Sequence, residues 1–245
     1  MGVARWSIVV GACIATALAA AAGPAFAQSA RDWKCTGDSD FSWDAQIDGC
    51  TEAIRSGRYG GSRLAWAYIN RGISHYQKGE NELALDDYNE AIRLDPESVN
   101  AYDNRANVYS EMEDHDRAIS DYNESIRLRP NNPAAYNNRC DEWLQMRRFQ
   151  SAISDCNESL RQRPNHPGTL RHRGNAYLVS GELDKAIADY GAALRVDAKD
   201  SWALYGRGLA KIRQGHSAAG EADIAAAKEI DPDIGASFER YYGLK

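Results

Sequence analysis

The sequence predicts an all-α fold, a solenoid of antiparallel helix pairs stacked in a row. Three observations lead there. The chain matches itself at one dominant offset of 34 residues. Within each unit two apolar stripes at helical spacing flank a short polar break. Each unit closes on a turn: Pro96, Pro130, Pro164 and Pro232 stand in register, with Ala198 where the period expects a fifth proline.

The register is carried by several series. Arg71, Arg105, Arg139, Arg173 and Arg207 lie 34 residues apart, as do Asp87, Asp121, Asp155, Asp189 and Asp223. Ala84, Ala118, Ala152 and Ala186 form a third series, which ends in Gly220. In the second unit Tyr102, Ala106, Tyr109 and Met112 make the first stripe, and Ala118, Ile119, Tyr122, Ile126 and Leu128 make the second. Gly79, Gly181 and Gly215 fall between paired helices, where a left-handed residue ends the first helix at little cost. Pro133 and Pro167 follow Asn132 and His166 at first helical positions, where the missing N–H is not needed.

Composition bounds the function. Of 245 residues, 29 are Lys or Arg and 35 are Asp or Glu, a formal charge of −6, and 43% are apolar. That balance argues against a nucleic-acid binder, and the apolar fraction is that of a folding chain. Residues 1–27 read as a secretory signal peptide: Arg5, an apolar run from Ile8, a Gly23-Pro24 break and the small-residue site Ala25-Phe26-Ala27. An uncleaved anchor and a lipid-bearing Cys13 are the rival readings. Cleavage leaves no membrane-inserting segment and delivers the chain to the periplasm of a Gram-negative envelope. Four cysteines then remain in an oxidising compartment. Three pairings are possible, and the spacings of 15 and 16 residues favour Cys35 with Cys50 and Cys140 with Cys156.

The units resemble tetratricopeptide repeats. The resemblance rests on a bulky fourth residue, a small eighth, a bulky eleventh, Ala at the twentieth place, an aromatic at the twenty-fourth and Pro at the thirty-second. In the first unit these are Tyr68, Gly72, His75, Ala84, Tyr88 and Pro96. Arg stands at the seventh place where the family usually has Leu, and the fifth unit is degenerate at Lys211 and Gly220. The resemblance implies a right-handed superhelix with repeats at 65–98, 99–132, 133–166, 167–200 and 201–234. Residues 28–64 form an N-terminal cap with a half repeat in which Cys50 takes the aromatic place, and 235–245 form a C-terminal capping helix. Cys140 and Cys156 take the small eighth and aromatic twenty-fourth places, across one hairpin from each other, as a disulfide or as two buried thiols. The Arg and Asp series reads as a recurring ion pair between helices.

No catalytic constellation stands out. There is no Gly-x-Ser-x-Gly, phosphate loop, His-Glu-x-x-His or paired Cys-x-x-Cys, and the five histidines are dispersed, so no enzyme, metal or cofactor is expected. Asn123-Glu124-Ser125 and Asn157-Glu158-Ser159 match a sequon but fall in mid-helix. The resemblance places the concave wall on the first helix of each repeat. There Asn70, Asn104, Asn107, Asn138, Asp141, Arg171, His172 and Asn175 form a polar groove. Side-chain amides both donate and accept, so such a ladder can hold the backbone of an extended peptide without reading its sequence. Arg171 and His172, beside Arg163 and Arg173, favour an acidic segment. The variant that grips a C-terminal carboxylate is half present: Arg171 and Asn175 match, but Gly206 stands where the next repeat needs Asn. Trp66 and Trp202 are either groove anchors or packing against the caps. The expected partner is another protein, with self-association through the fifth repeat and terminal helix as the alternative.

Overall fold

A computed structural model describes residues 32–36 and 41–243; the signal segment lies outside them. Among the described residues there are twelve α-helices, one 3-10 turn (Asp32–Cys35) and no strand. The helices are α1 (Trp43–Arg55), α2 (Ser62–Gln77), α3 (Asn81–Leu94), α4 (Val99–Glu111), α5 (His115–Leu128), α6 (Pro133–Gln145), α7 (Phe149–Gln162), α8 (Pro167–Val179), α9 (Leu183–Val196), α10 (Ser201–Arg213), α11 (Ser217–Ile230) and α12 (Ile234–Tyr242). They pair as antiparallel hairpins, α2 with α3 through α10 with α11, and each hairpin leans on the next. First helix packs on first helix where α2 meets α4, α6 meets α8 and α8 meets α10, which makes the first helices the tighter inner layer of the curve.

Local chemistry sets the boundaries. Asn132 caps α6 by accepting from the Ala135 amide at 3.3 Å, and His166 caps α8 by accepting from that of Thr169 at 3.2 Å, each just ahead of the proline that opens the helix. Asp114 and Asp200 cap α5 and α10 the same way. Between the helices of each hairpin one residue turns left-handed: Gly79, Gly181 and Gly215, as the period predicts, but also Glu113 (φ 59°) and Arg147 (φ 58°) at the same register position. There the fold imposes on side-chain-bearing residues a conformation that costs about 1–2 kcal/mol. Met112 caps α4 and is largely exposed instead of completing the stripe of that helix.

Each hairpin closes at one point of close approach. Gly72 faces the Tyr88 ring and Gly174 the Tyr190 ring so closely that an added Cβ would lie 2.7 Å and 2.9 Å from a ring carbon. Tyr88, Tyr122 and Tyr190 are fully buried as a result. In the third hairpin the closure is covalent, with Cys140 joined to Cys156 (S–S 2.15 Å).

Beside each closure runs the Arg–Asp series as a bidentate pair. Arg105 Nε and Nη2 reach Asp121 at 2.7 Å each, and the same fork recurs at Arg71–Asp87, Arg139–Asp155, Arg173–Asp189 and Arg207–Asp223. The third nitrogen reaches back to the preceding hairpin: Arg105 to Asn89 (2.6 Å), Arg139 to Asn123 (2.5 Å), Arg173 to Asn157 (2.7 Å) and Arg71 to Thr51 of α1 (3.1 Å). Two of these asparagines are those of the sequons. Gly191 stands at that place before the fifth repeat, and Arg207 has no such back-bond among the described residues.

Both ends are covered. Cys35 is joined to Cys50 (S–S 2.04 Å), and Gly49 leaves room for the Lys34 backbone to lie on α1. At the other end α12 buries Ile234, Phe238 and Tyr242, four residues apart, on one face.

Replacing Glu113 by Gly removes the left-handed penalty while adding backbone entropy to the unfolded chain, so the variant gains about 1 kcal/mol. Denaturant unfolding of the two proteins measures this; an unchanged or lowered midpoint contradicts the strain assignment.

Candidate functional site: the concave groove

The inner wall divides into a filled stretch at each end and an open one between. At the N-terminal end Asn70 donates through Nδ2 to the Cys35 carbonyl at 2.7 Å, so the first amide of the ladder holds the chain's own incoming segment. In the middle, Asn104 is half-buried and its side-chain amide has no hydrogen-bond partner among the described residues. Asn107 Oδ1 accepts from the Tyr122 hydroxyl (2.7 Å) and from Asn138 Nδ2 (3.1 Å), while Asn138 Oδ1 accepts from Asn137. The ninth-place amide thus has a structural duty: it receives the hydroxyl of the tyrosine that closes its own hairpin.

Repeat three breaks that pattern for a visible reason. Cys156 replaces the tyrosine, no hydroxyl arrives, and the ninth place carries Asp141 instead of Asn. Its carboxylate stands 3.7 Å from His172 Nε2. His172 is nonetheless neutral, because burial pushes its imidazole down to about 4, with Arg171 and His166 adding to the shift and Asp141 and Asp200 opposing it.

At the C-terminal end Asn175 is fully buried, donating to the Tyr242 hydroxyl (2.7 Å) and accepting from that of Tyr190 (2.7 Å). Its amide is not offered to a ligand while α12 is docked. The basic cluster that the sequence suggests at Arg171, His172 and Arg173 is neutralised within the fold: Arg171 pairs with Asp200 (3.4 Å), Arg173 with Asp189 (2.7 Å), and His172 carries no charge near pH 7. Of the cluster, Arg163 is exposed and has no counter-ion among the described residues. Gly206 has no room for the amide a carboxylate clamp needs, since any Cβ there collides with the Tyr190 ring. Trp202 packs on Phe238, Tyr241 and Tyr242 of α12, and Trp66 on Tyr59, so both tryptophans meet the caps.

One cluster escaped the sequence. Glu142, 2% exposed, accepts from Ser110 Oγ (2.5 Å) on one oxygen and contacts His115 Nδ1 (2.7 Å) on the other. Burial raises its pKa. Hydroxyl and imidazole sit on different oxygens of the carboxylate, so the cluster joins α4 and α5 of repeat two to α6 of repeat three as a polar bracket. Among the described residues no group of three His, Cys, Asp or Glu could hold a metal, and no helix is long and apolar enough to cross a membrane.

A row of helical hairpins with an amide-lined inner wall is the architecture of a protein-interaction scaffold, a fold that ordinarily has no catalytic role. Residues 72–113 and 174–215 match the family described as TPR repeat, and 99–132 match the tetratricopeptide repeat. The chain carries tetratricopeptide repeats. No curated protein matches it in sequence. Among solved structures it is similar to YrrB, described as a TPR protein with an unusual peptide-binding site (21% identity, TM-score 0.64, 79% of this chain and 98% of that one). It is also similar to MamA (20%, 0.60, 67% and 96%) and to a tetratricopeptide repeat protein from Parabacteroides merdae (18%, 0.68, 86% and 85%). These likenesses establish the all-α repeat fold.

The His172 shift has a definite sign. The folded state holds the imidazole neutral down to about pH 4, whereas the unfolded chain protonates near its ordinary 6.5, so the stability it contributes is full above pH 6.5 and is lost as pH falls toward 4. Between pH 7 and pH 5 the native protein loses about 2 kcal/mol more than His172→Gln does. Urea unfolding at the two pH values measures the difference; parallel losses in both proteins contradict the assignment.

Proposed function

We propose that this chain is a periplasmic adaptor that binds another protein by holding an extended segment of it in the open stretch of the concave groove, between α4 and α6. The observation that carries this reading is the pair Asn104 and Asn138, 34 residues apart on adjacent first helices and both partly exposed. Asn104 has its amide unspent, and Asn107 beside it keeps a free Nδ2 among the described residues. Such groups suit a peptide backbone, which presents a donor and an acceptor at every residue. The description of YrrB as peptide-binding supports a groove role for a solenoid of this shape. The export reading supplies the compartment, and two disulfides fit it. A second reading, self-association, is favoured by the exposed Val196, Ile230 and Tyr241 toward the C-terminal end.

Cross-linked capture from the native envelope fraction tests the groove. Asn104→Ala/Asn138→Ala loses the captured partner by at least tenfold while its helical signal and melting point stay within a few degrees of the parent, because Asn107 still accepts from the Tyr122 hydroxyl. Asn175→Ala differs, since it strands the hydroxyls of Tyr190 and Tyr242 and lowers stability. Equal capture by parent and double variant contradicts the groove reading, and a concentration-dependent dimer with no partner captured favours the second.

A further inference from the structure

The C-terminal helix is placed as a ligand would be. A helix that merely ended the array would rest on repeat five. Helix α12 touches α10 and α11, but it also reaches α6, two repeats back, and so lies across the inner wall. Its last aromatic makes the polar contact that matters there. Asn175 receives the Tyr190 hydroxyl on Oδ1 and spends Nδ2 on the Tyr242 hydroxyl, at 2.7 Å each. In repeat two the equivalent Asn107 receives Tyr122 in the same way, at 2.7 Å, and its Nδ2 has no partner among the described residues. The two sites differ in that a tyrosine from α12 occupies one of them.

The attachment is slight. Helix α12 has nine residues, shorter than an isolated helix needs to persist in water, so its helicity depends on docking. Three buried side chains hold it, Ile234 and Phe238 fully buried and Tyr242 nearly so, with Phe238 set between Trp202 (5.8 Å) and Tyr205 (5.2 Å), and the exposed Tyr241 adds an edge contact to Trp202 (5.5 Å). Its lead from α11 is the turn Asp231-Pro232-Asp233. Terminal elements with few buried anchors open at lower cost than the middle of an array, even where, as here, those anchors complete the core of the last three repeats.

We propose that α12 is a tethered occupant of the groove over α8 and α10, and that a partner enters there by displacing it with a segment of the same kind: a short amphipathic helix with aromatics four residues apart, its tyrosine hydroxyl accepting from Asn175 Nδ2. The inference rests on the groove being a protein-binding surface and extends that reading from the open stretch to the filled one. A short tether gives α12 an effective concentration of about a millimolar, so a free segment making the same contacts competes poorly until α12 is undocked.

The probe is a labelled synthetic peptide of residues 231–245, titrated by fluorescence anisotropy against the full chain and against Phe238→Ala/Tyr242→Ala. The variant binds the peptide at least tenfold more tightly than the parent does, and a peptide with Tyr242→Phe binds the variant several-fold more weakly. Equal affinity, or binding to neither protein, overturns the proposal. Should the variant fold poorly by circular dichroism, hydrogen exchange on the unmodified chain decides: α12 amides exchange at least a hundredfold faster than those of α10, and exchange in step with α10 overturns it. A native dimer dissolved by the same two substitutions would mean that α12 is lent to a second copy, which also overturns the tethered arrangement. Adding Asn104→Ala/Asn138→Ala to the variant leaves peptide affinity within twofold, so failure of the open-groove reading and failure of this one are read separately.

Discussion

The solenoid depends on one side chain repeated five times. Each seventh-place arginine grips the aspartate across its own hairpin with two nitrogens, and in four of the five the third is turned to the second helix of the unit before. Leucine at this place would close the hairpin but say nothing about the neighbour. The guanidinium's fixed fork does both, because three donors in one plane can be satisfied only when the two hairpins hold a particular relation. The aspartates are nearly buried and the arginines about one-fifth exposed, so losing one partner would leave a charge without its counter-ion in a poorly solvated place.

The close approach at the eighth place follows from the same geometry and shapes the groove. Where Gly or Ala meets Tyr, the ring fills the hairpin, and in repeats two and four its hydroxyl commits the ninth-place amide to receiving it, whereas in repeat one the Tyr88 hydroxyl is buried without a partner among the described residues. Where Cys140 and Cys156 close the hairpin covalently, no hydroxyl emerges and the wall carries Asp141, facing a neutral His172. The polar character of the groove is therefore partly a by-product of how each hairpin is closed. What is left for a ligand is what the tyrosines do not use: Asn104, and the second valences of Asn107 and Asn138.

The fold was readable because its determinants are local and periodic. The 34-residue register, the prolines after Asn132 and His166, and the terminal helix at Ile234–Tyr242 all follow from spacing within a few turns of chain. The groove was only half readable. Asn104 and Asn138 stand on the inner wall, but Asn175 is sealed by Tyr242, 67 residues further on, and Arg171 is neutralised by Asp200, the cap of the next first helix. Neither contact leaves a trace in spacing, since each joins separate repeats through side chains that suit solvent equally well. The left-handed Glu113 and Arg147 were hidden differently, because their residue types disfavour the conformation and only the register of Gly79, Gly181 and Gly215 points to it. The back-bonds to Asn123 and Asn157 were masked by their place in apparent sequons.

The most direct test of this account is a double-mutant cycle on Arg105 and Asp121, with equilibrium unfolding of the parent, Arg105→Leu, Asp121→Ala and the double variant. The account predicts a coupling of about 2 kcal/mol, with each single change costing nearly as much as both together. Additivity within about 0.5 kcal/mol would contradict it and leave the apolar closure to hold the repeats alone.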